Sequence, residues 1–277
     1  MCDLTAKDLK EFYHHERIGG KKPKKGSTVA TYHANIHAAL ETAVTDDLIQ
    51  KNVAHKMRPV TKRFIGDFYL EEETLELMRI AKGTKLELAI MFGLFYGLRR
   101  SEIVGLKWQN FDFINGIFTI KHTVTTYYLN GKTNQYAKNK TKNQSSLRSL
   151  PLIPLFIELL MALKEQQQEN QVAFGECYDK KYRDYVYVNE LGKLIKPNYI
   201  TARFPKFLQK HGLRHIRFHD TRHSCASLLL KNGVSMKEIQ AWLGHSDYET
   251  TANLYAHLEV DSSKWASAER LEKGLFG

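Results

Sequence analysis

Apolar residues in this chain recur mainly at the three- and four-residue spacing of an α-helix. The spacing predicts helices over residues 4–16, 28–44, 151–164 and 201–211. A cluster of acids at Glu71–Glu73 marks the first turn of another helix. The most apolar run, Leu86–Trp108, is broken by glycines. We therefore expect a buried helix there, a turn at Tyr96–Gly97 and a second helix from about Ser101.

Strand patterns occupy a smaller part of the chain. Ile117–Ile120 alternates, and Thr123–Leu129 is rich in β-branched and aromatic residues before a hairpin turn at Asn130–Gly131. After the helix that ends at residue 164, the polar stretch Glu165–Asn170 leads toward a short apolar run, Tyr185–Val188, which predicts a further strand. The fold class we expect is mainly α with a small antiparallel β-sheet (α+β).

Two domains are expected from this pattern. Residues 1–65 form a small helical piece with a thin core, and Pro59–Arg63 has the composition of a linker. This piece carries 12 Lys and Arg against 7 Asp and Glu. Residues 66–277 then form the larger domain.

Composition points to a polyanionic partner. The 277 residues have a formal net charge of +11 and a pI near 9.4, and clustered cations release counterions from a phosphate backbone. No apolar run approaches the roughly 20 residues that span a bilayer, and the N-terminus has no apolar signal region. Isolated Cys2, Cys177 and Cys225 are typical of reduced thiols in a cytoplasmic protein. We expect double-stranded DNA as partner and no membrane.

Two basic segments are candidate DNA contacts. Arg17–Ser27 is a turn-rich loop with five cations and no acid, either simply solvated or in contact with phosphates. Lys121–Leu150 has six cations and no acid. This favours contact with nucleic acid, because ordinary protein surfaces carry both positive and negative charges. The candidate DNA-binding residues are Lys21, Lys22, Lys24, Lys25, Lys138, Lys140 and Arg148.

Candidate chemistry is concentrated after residue 215. His219, Arg222 and His223 share a helical face by their spacing. His215, His219 and His223 also repeat every four residues with Cys225 nearby, which suggests zinc. The HExxH pattern and paired CxxC motifs are absent, so we disfavour that alternative.

The order of motifs closely resembles that of the tyrosine recombinases, the phage and conjugative-transposon integrases. His219-x-x-Arg222 is followed by Leu243-Gly244-His245 and by Tyr255. The family's G-L-R-x-S-E segment is matched by Gly97–Glu102, and its hairpin lysine before S-x-R-x-x-P is matched by Lys142 before Ser146–Pro151. The resemblance covers about residues 28–258. It implies six catalytic residues: Arg99, Lys142, His219, Arg222, His245 and Tyr255.

The resemblance implies phosphodiester chemistry. Tyr255 would attack the scissile phosphate, form a 3′-phosphotyrosine bond and free a 5′-hydroxyl. Arg99, preferred to Arg100 by motif register, and Arg222 would bind the non-bridging oxygens, with Glu102 bracing an arginine. The phosphotyrosine keeps the energy of the broken bond, so we expect neither a cofactor nor a metal.

The remaining groups would move protons or bind the phosphate. Lys142 would protonate the 5′ leaving oxygen, although Lys140 is the alternative because hairpins vary in length. His219 would assist proton transfer at the tyrosine, and His245 would donate a hydrogen bond to the phosphate. His223 has no catalytic counterpart in the family and is expected to pack or to lie beside the phosphate.

Two features depart from the family. Its helical core-binding domain is usually longer than residues 1–65, so we expect only part of that domain and a shortened chain. After Tyr255 the sequence predicts an amphipathic tail helix from about residue 258. This helix either docks on its own domain or is exchanged between protomers in a tetramer on two DNA sites.

The expected function is that of an integrase, a site-specific DNA recombinase that integrates and excises a phage or transposon, with an accessory directionality factor as a further partner. We expect it in the bacterial cytoplasm, associated with the nucleoid. The alternatives are a type IB topoisomerase-like DNA relaxing enzyme and a non-catalytic, sequence-specific DNA-binding regulator.

Overall fold

The computed structural model describes residues 4–19, 22–55, 57, 59, 67–130, 132–138 and 147–244. The chain divides into two compact units, Met1–Ile65 and Gly66–Gly277. Across the ranges just given, none of the helices combines the length and apolarity that crossing a bilayer requires.

The described part of the first unit contains two α-helices. Helix α1 (Ala6–His14) begins at Thr5, whose side chain and that of Asp8 cap each other's backbone, and it continues as a π-helical turn, His15–Gly19. The second helix, α2, spans Gly26–Thr45. Both predicted helices are confirmed with shifted ends. Among the described residues, five buried ones pack together as a small core: Leu9, Tyr13, Val29, Leu40 and Ala54.

The second unit is mainly helical. Its helices are α3 (Glu71–Ala81), α4 (Glu87–Phe95), α5 (Arg100–Val104), α6 (Pro154–Phe174), α7 (Pro197–Lys210), α8 (Thr221–Lys231) and α9 (Met236–Leu243). Leu88–Leu94 of α4 is buried on every side, as its continuous apolar run predicts. The Phe92 ring packs edge-on against Phe118 and Phe156 at centroid distances of 5.7 and 4.9 Å. Helix α4 therefore occupies the core, with α8 packed against it.

The described part of this unit also contains two small antiparallel sheets. β1 (Phe111–Asp112), β2 (Ile117–Ile120) and β5 (Arg148–Pro151) form one sheet in the order β1-β2-β5. β3 (Thr123–Leu129) and β4 (Lys132–Lys138) form the predicted hairpin. The expected fold class is confirmed. β5 was not predicted, because its pairing of Leu150 with Phe118 joins segments far apart in sequence.

Two local predictions were wrong. Glu165–Asn170 lies inside α6, and Tyr185–Val188 belongs to neither sheet and makes only isolated bridges. One residue links the two errors: Gln167 of α6 donates a hydrogen bond to Val186 O at 2.7 Å. Tyr185, Val186 and Tyr187 are buried, and their backbone bonds partly to a side chain and partly to single residues such as Leu106, not to a continuous strand.

Candidate active site

Arg222 is the centre of the site. It lies in the first turn of α8, is 2% exposed, and donates hydrogen bonds to Gly97 O and Leu243 O, each at 2.5 Å. Burial and the neighbouring charge of Arg99 lower the pKa of Arg222, while Glu102 acts in the opposite direction. Arg222 therefore joins the turn after α4 to the end of α9.

The turn at Gly97 requires glycine. Its φ of +62° is in the left-handed region, and a Cβ at this position would lie 2.3 Å from Leu243 Cδ2. The predicted turn is therefore a point of close approach between the segment leading to Arg99 and helix α9. This contact gives a physical reason for the glycine of the Gly97–Glu102 motif.

Glu102 joins two arginines. It is 2% exposed and accepts hydrogen bonds from Arg99 Nη1 at 2.8 Å and from Arg148 Nη2 at 3.1 Å. It also accepts from the Arg99 backbone N–H, which starts α5. Burial alone would raise the pKa of Glu102, but the charges of Arg148 and Arg99 outweigh it and hold the pKa at about 2. The expected contact of Glu102 with an arginine is present.

Three successive carbonyls at the end of α9 accept hydrogen bonds from three different arginines. Trp242 O accepts from Arg148 Nε at 2.8 Å, Leu243 O from Arg222 at 2.5 Å, and Gly244 O from Arg99 Nη2 at 3.4 Å. The C-terminal end of a helix carries partial negative charge, which attracts cations. The three guanidiniums therefore converge where the chain leads into residue 245. We name them the arginine triad.

His219 lies beside this triad. It belongs to the 3₁₀ turn Phe218–Asp220 before α8, and its ring centroid is 5.6 Å from that of His223. Although His219 is exposed, partial desolvation and the nearby charges of His223, Arg222 and Arg99 lower its pKa to about 4. His219 is therefore a neutral imidazole near pH 7.

His223 and Cys225 have structural surroundings. His223 Nε2 lies 3.8 Å from Asp220 Oδ1, and desolvation lowers the pKa of His223. Cys225 donates to Phe95 O at 3.0 Å, and complete burial raises the pKa of its thiol to about 12. Within the described ranges, the suggested set of His215, His219, His223 and Cys225 does not converge as metal ligands.

Comparison with known proteins identifies the family. Residues 68–261 match the model of the phage integrase family, which covers well over half of the chain. The chain belongs to the phage integrase family. The resemblance to tyrosine recombinases is thereby confirmed.

Among curated relatives, the tyrosine recombinase XerC-like protein of Caldanaerobacter subterraneus is 29% identical over 73% of this chain and 53% of its own length. The ICEBs1 integrase of Bacillus subtilis is 24% identical over 94% of the chain and 69% of its length. The chain thus spans about half the length of the first of these integrase-family relatives. The Tn1549 transposon integrase, solved with a circular intermediate DNA, has the same fold (TM-score 0.77, 22% identity, 98% of this chain and 86% of that one).

Several predicted integrase residues lie outside the described ranges. These are Lys21, Lys140, Lys142, His245 and Tyr255, together with the tail from residue 258. Lys22, Lys24 and Lys25 are exposed ahead of α2, and Lys138 ends β4. The placement of Arg148 differs from the expected surface contact: its side chain is 6% exposed and is engaged by Glu102. We therefore correct Arg148 from an exposed DNA contact to a buried residue that shares the Glu102 carboxylate with Arg99.

Proposed function

We propose that this chain is an integrase: a site-specific DNA recombinase that cleaves and rejoins double-stranded DNA through a 3′-phosphotyrosine intermediate. The observation that carries the proposal is the convergence of Arg99 and Arg222 on Gly244 and Leu243 at the end of α9. In the sequence His245 follows Gly244 directly, and Tyr255 follows His245 by 10 residues. Family membership supports the same chemistry. The integration and excision of a mobile element would be its biological role.

The arginine triad suits a phosphate. Arg99, Arg148 and Arg222 surround one carboxylate, Glu102, so these four groups carry two excess positive charges. Phosphoryl transfer places negative charge on the non-bridging oxygens, which preorganised guanidiniums stabilise. The Arg99 side chain is one-third exposed. Arg222 is 2% exposed, so it would bind a phosphate by exchanging its hydrogen bonds to Gly97 O and Leu243 O for the phosphate oxygens. We assign Arg99 and Arg222 to the phosphate oxygens, and Arg148 and Glu102 to their positioning.

Proton transfer would use a neutral histidine at the attacking tyrosine and a cationic lysine at the leaving oxygen. His219 can accept a proton from the attacking Tyr255 because its pKa of about 4 leaves it unprotonated near pH 7. Lys142 would protonate the 5′ leaving oxygen, and His245 would donate a hydrogen bond to the phosphate. Tyr255 would then hold the cleaved strand covalently until a 5′-hydroxyl attacks and releases it.

The larger assembly follows from this reaction. Residues 1–65, with exposed Lys22, Lys24 and Lys25, would act as part of a core-binding domain that holds the duplex. Strand exchange joins two sites, so four protomers would act together, with the tail exchanged between them. Lambda integrase has been solved as a tetramer bound to a Holliday junction. Such a protein works on the bacterial chromosome, which places it in the cytoplasm at the nucleoid.

Covalent capture tests the proposal and locates the DNA site in the same experiment. The chain is incubated in EDTA with sheared genomic DNA of its own strain, and adducts that survive denaturing detergent are sequenced. We expect adducts at a few sites from the wild-type chain and none from Tyr255→Phe. Tyr248→Phe, which changes a tyrosine seven positions earlier, is the matched control and should retain the adducts.

The outcomes separate the alternatives. Failure of the wild-type chain to form an adduct with any fragment would overturn the enzyme assignment and leave a DNA-binding regulator. Adducts that persist in Tyr255→Phe would show a different nucleophile. A plasmid with two captured sites then distinguishes exchange between sites from relaxation alone, the result expected of a topoisomerase-like enzyme.

A further inference from the structure

A group of metal-ligating side chains lies in the first unit, whereas the residues assigned to catalysis belong to the second. His37 and Glu41 are four positions apart on α2, and His55 lies in the segment after that helix. One ligand atom from each residue lies within 4.8 Å of the other two. The rings of His37 and His55 stack with centroids 5.6 Å apart. Helix and loop thus present two imidazoles and one carboxylate together.

We propose that His37, Glu41 and His55 bind a divalent transition-metal ion, with Zn²⁺ as the expected occupant. Imidazole and carboxylate ligands suit zinc, and three protein ligands leave a fourth tetrahedral position for water. Ligand atoms around zinc lie about 3.3 Å apart, so the widest pair would need to close by at most about 1.5 Å. Glu41 and His55 are exposed and can make this movement by side-chain rotation.

Asn52 supports the site from a second position. Its Nδ2 donates to Glu41 Oε2 at 2.7 Å and to His37 O at 3.0 Å, and its Oδ1 accepts from Ala54 N at 2.9 Å. Residues that orient a ligating carboxylate tune metal affinity. Asn52 therefore orients the Glu41 carboxylate and holds the backbone of Ala54, which directly precedes His55. This hydrogen bonding distinguishes the group from a chance meeting of surface side chains.

The surroundings indicate what the ion would do. The packed core described in this unit has only five buried residues, and small units with thin cores are often stabilised by a metal ion. Ala54 is fully buried and directly precedes His55. An ion shared by α2 and His55 would hold Ala54 in the core. We therefore assign the ion a stabilising role within the first unit.

Zinc titration of the full chain after chelator treatment tests the site. Calorimetry should show one ion bound per chain, with binding at this site lost in His37→Gln and in His55→Gln. Asn52→Ala should weaken it roughly 10- to 100-fold. His211→Gln, an exposed histidine of the second unit, is the matched control and should leave affinity unchanged. Far-ultraviolet circular dichroism verifies that each variant retains its helices.

X-ray absorption at the zinc edge gives a reading on the wild-type chain alone. We expect two imidazoles, with the remaining ligands oxygen and no sulfur. Absence of stoichiometric binding, a sulfur ligand, or affinity that persists in the His37→Gln/His55→Gln double variant would overturn the proposal. Zinc lost from His211→Gln would do the same, since it would place the ion in the second unit.

Discussion

Glu102→Gln removes the single negative charge that we find at the centre of the arginine triad. The substitution keeps the size of the side chain and part of its hydrogen bonding, but leaves Arg99 and Arg148 without the carboxylate that each now contacts. A buried charge that loses its partner is costly because little solvent can replace that partner. We expect a large loss in the free energy of unfolding of the second unit.

The magnitude follows from the pKa of Glu102. Its fall from an ordinary 4.5 to about 2 means that folding favours the ionised form by roughly 3 kcal/mol, at about 1.4 kcal/mol per pKa unit. Breaking buried ion pairs costs about 3–5 kcal/mol in other proteins. We therefore expect Glu102→Gln to lower the free energy of unfolding by about 3 kcal/mol at neutral pH.

Urea unfolding followed by tryptophan fluorescence provides the assay. All three tryptophans, Trp108, Trp242 and Trp265, lie after residue 65, so the signal reports the second unit. Because folding depresses the pKa of Glu102, its contribution is complete above about pH 4.5 and is lost as pH falls toward 2. The difference between wild type and variant should therefore shrink to roughly 2 kcal/mol at pH 3.5.

Glu76→Gln is the matched control, because Glu76 also pairs with an arginine, Arg79, but at the surface. Solvent screens such a pair, and its loss should change stability little. Equal effects of Glu102→Gln and Glu76→Gln would refute the reasoning. A difference that grew on acidification would also refute it, since the sign of the linkage would then be reversed.

Three further predictions concern single residues. Gly97→Ala should lower the free energy of unfolding by roughly 2–4 kcal/mol, because the new side chain strains the left-handed backbone and clashes with α9. Gly83 also has a positive φ, +72°, but a Cβ there would meet open space. Gly83→Ala should therefore lower it by only about 1 kcal/mol in the same urea assay. The ring of His219, assigned by its loss in His219→Gln, should titrate by nuclear magnetic resonance near pH 4; a midpoint near 6.5 would contradict its placement. Lys142→Ala should block cleavage of ordinary DNA. Cleavage should return on DNA with a 5′-thiolate leaving group, because that group needs no proton. Lys140→Ala should cleave ordinary DNA normally, and the reverse result would assign the general acid to Lys140.

The sequence allowed Arg99, Glu102 and Arg222 to be predicted together, because the first two are three positions apart at the start of α5 and the third is fixed by motif order. The position of Arg148 could not be predicted this way. It stands in a segment of cations without acids, and its partner Glu102 is 46 residues away. Burial of a charge against a partner far away in the sequence leaves no local sequence pattern. Arg148 therefore had the same sequence surroundings as an exposed basic residue.

The errors in secondary structure have a related cause. Glu165–Asn170 has no apolar stripe, yet Glu and Gln have good helix propensity, and Gln167 is held by Trp108 Nε1 at 3.1 Å. His37 and Glu41 are four positions apart, so a helix places them on one face. No spacing in the sequence indicates that His55 lies beside them, because only the folded chain brings it there. Both cases depend on contacts between segments, which periodicity along one segment does not report.

The triad binds the last turn of α9 through main-chain oxygens of Trp242, Leu243 and Gly244. Side-chain replacement leaves each acceptor in place, so the arginines themselves do not restrict the amino acids there. The limits come instead from the left-handed φ of +67° at Gly244 and from the burial of Leu243. An inserted or deleted residue would instead assign every arginine to the wrong carbonyl. Where backbone and packing allow a substitution, this part of the chain should therefore tolerate it better than a change in length.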